Sequence, residues 1–213
     1  MDFVAREHSD PFDLDPPCDR SVPSFGPTTA DFHVVGDHPG VHGGLSTGVP
    51  FTDRPWSARF FDALVRGGIV DAAAPETGAV ETTRTFFSYL HGCAPAGETP
   101  TAAEYETLEP YFDSELRAIT AHILLPVGQR ATAQVFREYT AIDADTAADM
   151  ARIHAEHLHG SGWLVVPVLD PAEWTEDREK RLVTSLQDLD ASDYQQISDL
   201  GRFLPGEEPY YVR

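Results

Sequence analysis

Four short apolar runs, each stopping at a loop rich in glycine, proline and polar residues, constrain this chain more than any other feature. They cover residues 31–35, 85–90, 122–127 and 162–168. Runs without polar alternation read as strands buried on both faces, the pattern of a parallel sheet covered by helices. The segments between them have helical spacing. In 56–66, Pro55 sits at the first turn and Gly67-Gly68 at the end, and Phe60, Phe61, Leu64 and Val65 would face the sheet. Thr101-Ala102-Ala103-Glu104 is a capping box that opens the next helix. Pro110 is expected to break or restart that helix, with Tyr111, Leu116 and Ile119 continuing its apolar face. Further helices are expected over 131–139, 146–159 and 175–186, and a loop over 70–83. The expectation is an α/β fold: one domain over 31–213 with a central four-stranded parallel sheet flanked by helices. Residues 1–30, with five prolines, form an irregular lead-in, and a polar tail runs to Arg213.

The first strand delivers an unusual loop. Gly36-Asp37-His38-Pro39-Gly40-Val41-His42-Gly43-Gly44 is followed closely by Thr47-Gly48-Val49-Pro50-Phe51. Gly36 and Gly40 let backbone approach a ligand, Pro39 and Pro50 stiffen the segment, and Phe51 offers a flat face. Two other marked loops, 91–100 and 169–174, also follow strand ends. In parallel sheets, ligands bind beyond the carboxyl ends of the strands.

Charge narrows the partners. Lys and Arg number 15 against 35 Asp and Glu, a formal net charge of −20, and Lys180 is the one lysine. Such acidity suits a protein kept soluble in high salt, so a halophilic, cytoplasmic setting is expected. Any nucleic-acid surface must then be a local patch of arginine. Two cysteines, Cys18 and Cys93, do not make a disulfide framework. No apolar stretch approaches membrane length, and residues 1–17 lack the apolar core of a signal peptide.

Together the loops resemble the uracil-DNA glycosylase superfamily, in particular its families 4 and 5. Gly36-Asp37-His38-Pro39-Gly40 is similar to the first motif, and His42-Gly43-Gly44 with Thr47-Gly48-Val49-Pro50-Phe51 to its second half. Cys93-Ala94-Pro95 through Thr99-Pro100-Thr101 is similar to a Cys-x-Pro-Pro…Thr-Pro-Thr segment, and Gly128 and Ala131 fit a Leu-Gly-x-x-Ala pattern. The similarity runs from about residue 10 to residue 190. It implies a DNA-repair enzyme, a hydrolase that excises uracil or a related damaged base by breaking the base–sugar bond of a nucleotide drawn out of the stack. DNA is then the partner, and a monomer is expected. The base would meet Gly36, Pro39, Gly40, His42 and Tyr89 and stack on Phe51, unless Phe51 is a core aromatic.

Several positions depart from the family pattern. His38 stands where some families of the superfamily carry Asp or Asn and family 4 carries Ala. With Asp37 it is a candidate catalytic group: a neutral imidazole would orient water, an imidazolium would steady the leaving anion, or the ring simply fills the loop. The second motif, normally His-Pro with the His donating to a uracil oxygen, is Asp170-Pro171 here. An ionised carboxylate opposes a developing anion, so Asp170 would serve only if burial kept it protonated; otherwise it caps a turn. Tyr89 takes the place of the Asn that reads uracil in family 4. Trp174 falls where the family inserts an apolar wedge into DNA, or else it packs.

Families 4 and 5 carry an iron–sulfur cluster on four cysteines. Cys18 and Cys93 match two of them, while Ser21 and Leu108 stand at the others, so no cofactor and no metal are expected. His154, His157 and His159 with Glu156 sit at helical spacing, as a metal site or a solvated helix end. The lost motif histidine also leaves room for a second reading, a catalytically silent paralogue that binds DNA or a protein.

Overall fold

The computed structural model describes residues 10–191. Strand β1 (Phe32–Gly36) is fully buried and pairs in parallel with β4 (Thr85–Tyr89) on one side and β5 (Ile123–Pro126) on the other. Strand β7 (Trp163–Val165) pairs in parallel with β5. The helices between them are α1 (Pro39–His42), α2 (Ser57–Arg66), α3 (Ala102–Ala118), α4 (Gly128–Tyr139), α5 (Met150–Ile153) and α6 (Glu176–Ala191). The sheet faces are shared by residue parity: Phe87 packs on Phe61 of α2, while His33 and Phe86 turn to the face that holds Phe112 of α3. Strands β1, β4 and β5 therefore bury both faces, as an unbroken apolar run requires.

The expected four parallel strands are present, but the sheet has five, in the order β4-β1-β5-β7-β6. The extra strand, β6 (Leu158–Gly160), is antiparallel to β7. Ser161 and Gly162, both at positive φ (42° and 90°), make the tight turn between them. Three half-buried or exposed residues carry no apolar run, so β6 left no signal in the sequence. Its presence shortens the helix expected over 146–159. That stretch is a 3-10 helix (Ala144–Asp149), then α5, then a left-handed residue at Ala155 (φ 61°) that turns the chain away.

Two more local expectations change. The 70–83 loop holds a small antiparallel pair, β2 (Ala72–Ala74) with β3 (Ala79–Glu81). Helix α3 passes Pro110 without a break, although its capping box forms as the sequence requires. Residues 10–30 of the lead-in are irregular but belong to the fold. Phe25 bridges Phe87 and Ser21 bridges Cys93, both antiparallel, so the segment lies along the outer side of β4. Val22 and Phe25 enter the core, and Cys18 and Cys93 are joined in a disulfide. The tail beyond Ala191 and residues 1–9 lie outside the described residues.

Candidate functional site

The carboxyl ends of β1, β5 and β7 converge on one cleft of about 790 Å³. Its lining includes Asp37 and His42 from the β1 loop, Gly128 and Arg130 at the start of α4, and Asp170 and Arg178 after β7. The placement is the one that parallel sheets favour for ligands.

The β1 loop is built on two imidazoles whose tautomers are fixed by backbone donors. His38 caps α1, its Nδ1 accepting from the Gly40 N–H at 3.1 Å. A Cβ on Gly40 would stand 2.8 Å from that ring, so His38 needs the glycine. With Nδ1 as acceptor, the proton of a neutral His38 sits on Nε2, which is buried without a hydrogen-bond partner. Burial lowers the pKa of His38, against the opposing charge of Asp37. That shift favours the neutral donor form over the imidazolium. His42 repeats the arrangement: its Nδ1 accepts from the Asp37 N–H at 2.9 Å, and its Nε2 is buried with no hydrogen bond.

The Asp37 carboxylate is held from outside its own loop. One oxygen accepts from the Tyr105 hydroxyl, and the other lies 3.7 Å from Nε of Arg130. The Arg130 guanidinium covers the Tyr105 ring at 4.5 Å. Burial, with the Asp37 carboxylate beside it, keeps the Tyr105 phenol protonated. Arg54 secures the first turn of α1 as well, donating to the Pro39 and Gly40 carbonyls. Tyr105, Arg130 and Arg54 were not singled out by the sequence. Arg130 was the most legible of them, as a cation inside the Gly128–Ala131 pattern at a helix start.

Phe51 does not present an open face. It is 0% exposed and sits in the middle of a ring stack, with His42 at 5.3 Å on one side and Phe60 at 5.0 Å on the other, each tilted 27°. The ring that reaches the cleft is His42. Tyr89 is likewise structural. Its hydroxyl accepts from the Phe51 N–H at 2.7 Å and shares its own proton between the His42 and Gly43 carbonyls. Gly36 is required because a Cβ there would meet the Tyr89 ring at 2.6 Å and Phe51 at 2.8 Å. Gly36, Phe51 and Tyr89 thus shape the loop from behind rather than line the cleft, while Pro39 and Gly40 lie within α1.

Asp170 is not a protonated donor. Burial pushes its pKa up, but His42, the Ala172 N–H and the charge of Arg54 outweigh that and hold it below the usual carboxylate value. Its side chain caps the turn Pro171–Glu173 through Ala172 N–H at 2.9 Å, and its other oxygen stands 3.7 Å from His42 Nε2. Trp174 is not poised as a wedge. It is 6% exposed, packs on Phe60 and donates its indole N–H to the Leu169 carbonyl at 2.8 Å.

The residues present do not fit the iron–sulfur cluster of families 4 and 5. Cys18 and Cys93 are bonded to each other, and buried Leu108 has no donor atom to offer. The three later histidines also diverge. His154 is buried, its Nδ1 accepting from Leu169 N–H and its Nε2 donating to the Arg178 carbonyl; His157 pairs with Ser185; His159 lies in β6. Among the described residues, no three His, Cys, Asp or Glu side chains are grouped so as to hold a metal ion. No helix among them is long and apolar enough to cross a membrane.

Comparison with known proteins agrees with this geometry. Residues 23–190 match the family described as the uracil DNA glycosylase superfamily. A type-5 uracil-DNA glycosylase of Mycobacterium bovis is 31% identical over 106 residues, 49% of this chain and 40% of that protein. One from Thermus thermophilus is 32% identical over 100 residues, 46% of this chain and 45% of that protein. The chain thus spans less than half the length of these two relatives. A type-5 enzyme of Pyrobaculum aerophilum is 27% identical over 172 residues, 80% of this chain and 74% of that protein.

Proposed function

The chain belongs to the uracil-DNA glycosylase superfamily, and on that premise we propose that it excises uracil or a related damaged base from DNA by hydrolysing the base–sugar bond. The observation that carries this reading is the cleft itself, where Asp37 and His42 meet the arginines of α4. In a chain of net charge −20, Arg130, Arg137 and Arg178 gather at this one cleft. Those three cations are the ones a DNA backbone would meet here, and they stand among the carboxylates of Asp37, Asp149, Asp170 and Glu173. A nucleotide drawn out of the stack would enter here. Breaking its C1′–N1 bond sends the bonding pair to the base and leaves positive charge on the sugar. The Asp37 carboxylate, fixed by Tyr105, would face that charge and hold the water that adds at C1′. His38 contributes a fixed N–H rather than a base, because its Nδ1 is already occupied.

The test is release of uracil from a uracil-containing oligonucleotide in molar potassium chloride. Asp37→Asn should cut the rate about a hundredfold if the carboxylate orients water. One observation favours the second reading, a silent DNA-binding paralogue: ionised Asp170 stands where the family motif places a donor. Salt-dependent binding of the oligonucleotide without any cleavage would select it.

A further inference from the structure

The excision reading leaves one gap, since the loop after β7 supplies a carboxylate where a leaving base needs a hydrogen-bond donor. We propose that His42, from the β1 loop, is that donor, its Nε2–H aimed at the carbonyl oxygen next to the glycosidic nitrogen, with Asp170 as its positioning residue. The proposal rests on the excision reading for its chemistry and on four features of this chain for its residue.

The tautomer is settled first. His42 Nδ1 accepts the Asp37 N–H at 2.9 Å, so the ring proton of neutral His42 is on Nε2. That N–H is then the one polar atom of the ring without a hydrogen bond, although the residue is 1% exposed. A buried donor left unmatched costs free energy, and a ligand oxygen would recover it. Third, the edge that carries it faces the cleft. Gly128 stands opposite, and a Cβ there would lie 3.9 Å from both Cε1 and Nε2, at a backbone φ of +82° that favours glycine. Finally, the ring plane is held by stacking on Phe51, with Trp56 edge-on at 6.1 Å, so the donor direction is fixed before any ligand arrives.

Asp170 completes the arrangement. Its Oδ2 is 3.7 Å from Nε2, too far for a hydrogen bond but close enough to fix the edge electrostatically. Its other oxygen is tied to Ala172 N–H, so the carboxylate does not swing freely. A carbonyl oxygen entering the cleft would take the Nε2–H, and Asp170 would face the imidazole rather than the base. No proton leaves His42 in this step. The C1′–N1 pair leaves on the base, its charge reaches the carbonyl oxygen bound by His42, water oxygen joins C1′, and the water proton goes to solvent. An ionised Asp170 at the second motif is then compatible with catalysis, because the donor has moved to the first motif.

The experiment has two arms. In the first, uracil excision is measured for wild type, His42→Leu, His42→Gln and Asp170→His, with thermal melts to confirm folding. Removing one such donor costs about 10²–10³ in kcat. His42→Leu should show that loss with little change in KM, and His42→Gln, which keeps an N–H, should recover part of it. Asp170→His should lower the rate. Undiminished excision by folded His42→Leu, or a gain with Asp170→His, would overturn the assignment. In the second arm, the His42 Nε2–H resonance is followed while wild type binds an oligonucleotide containing pseudouridine. That C-glycoside presents a carbonyl beside the glycosidic atom and is not cleaved. A downfield shift on binding supports the donor role, and an unmoved resonance at saturation rejects it. Absence of uracil release by wild type would sink the excision reading alone; the His42 assignment would then stand or fall on the resonance.

Discussion

Phe51 shows how a residue can be correctly noticed and wrongly employed. Its position after Gly48-Val49-Pro50 marked it as special, and its backbone is indeed unusual, at φ +65°. What a linear sequence does not reveal is that His42 and Phe60 close on both faces of the ring. Phe51→Ala should therefore cost about 3–5 kcal/mol of stability, the usual price of emptying a packed phenyl site. Urea unfolding would show it whether or not the protein is an enzyme. For Asp170 the turn-capping alternative was legible in Asp170-Pro171 and is what the structure shows, but its ionisation was not, because it depends on Ala172 N–H and on His42 from another loop. Glu115 was not noticed at all. Burial raises its carboxyl from the ordinary 4.5 to about 7. A raised folded-state pKa contributes stability that is full below pH 4.5 and is lost as pH climbs through 7. Glu115→Gln keeps the uncharged shape, so it should be more stable than wild type by about 2–3 kcal/mol near pH 8. The two proteins should converge toward pH 4, because both are then uncharged at this site.

Elements with their own local chemistry were readable. The Thr101–Glu104 box fixed the start of α3, and the three long apolar runs that flank or form β1, β4 and β5 fixed the sheet. Elements that exist only through pairing were not: β6 and the β2–β3 hairpin are three-residue strands with no periodicity to find. The continuation of α3 through Pro110, with Leu108, Phe112 and Leu116 buried on either side of it, was not legible either. The loop 36–54 lies between the two cases. Its glycines were visible, but the demand on each was not. Gly43 has φ +84° and ψ −158°, a region nearly closed to other residues, and a Cβ there would meet the Thr52 carbonyl oxygen at 2.0 Å. Gly43→Ala should lose about 1–3 kcal/mol from backbone strain alone. Near-ultraviolet circular dichroism should report the disturbed His42–Phe51–Tyr89 packing beside it.

For the whole molecule, the charge of −20 sets the solution behaviour. Repulsion among surface carboxylates opposes folding in dilute buffer and is screened by salt. The melting temperature should rise between dilute buffer and molar potassium chloride, by about 2–4 °C for each kcal/mol of repulsion relieved. An unchanged melting curve would refute the halophilic expectation. The lead-in has a consequence on the same scale. Strand β4 is the last strand of its side of the sheet, and residues 21–25 lie along its outer side, with Phe25 and Phe87 exchanging both backbone hydrogen bonds. The Cys18–Cys93 bond, closing 75 residues of chain, fastens that cover and contributes about 4 kcal/mol by restricting the unfolded chain. Reduction would let the cover lift and bare the rim of a five-residue, fully buried strand. An uncovered strand rim is a template for the strand of another molecule. Reduced protein, or Cys18→Ser, should therefore associate in a concentration-dependent way on size-exclusion chromatography, so that one covalent bond separates a dispersed protein from one prone to aggregation.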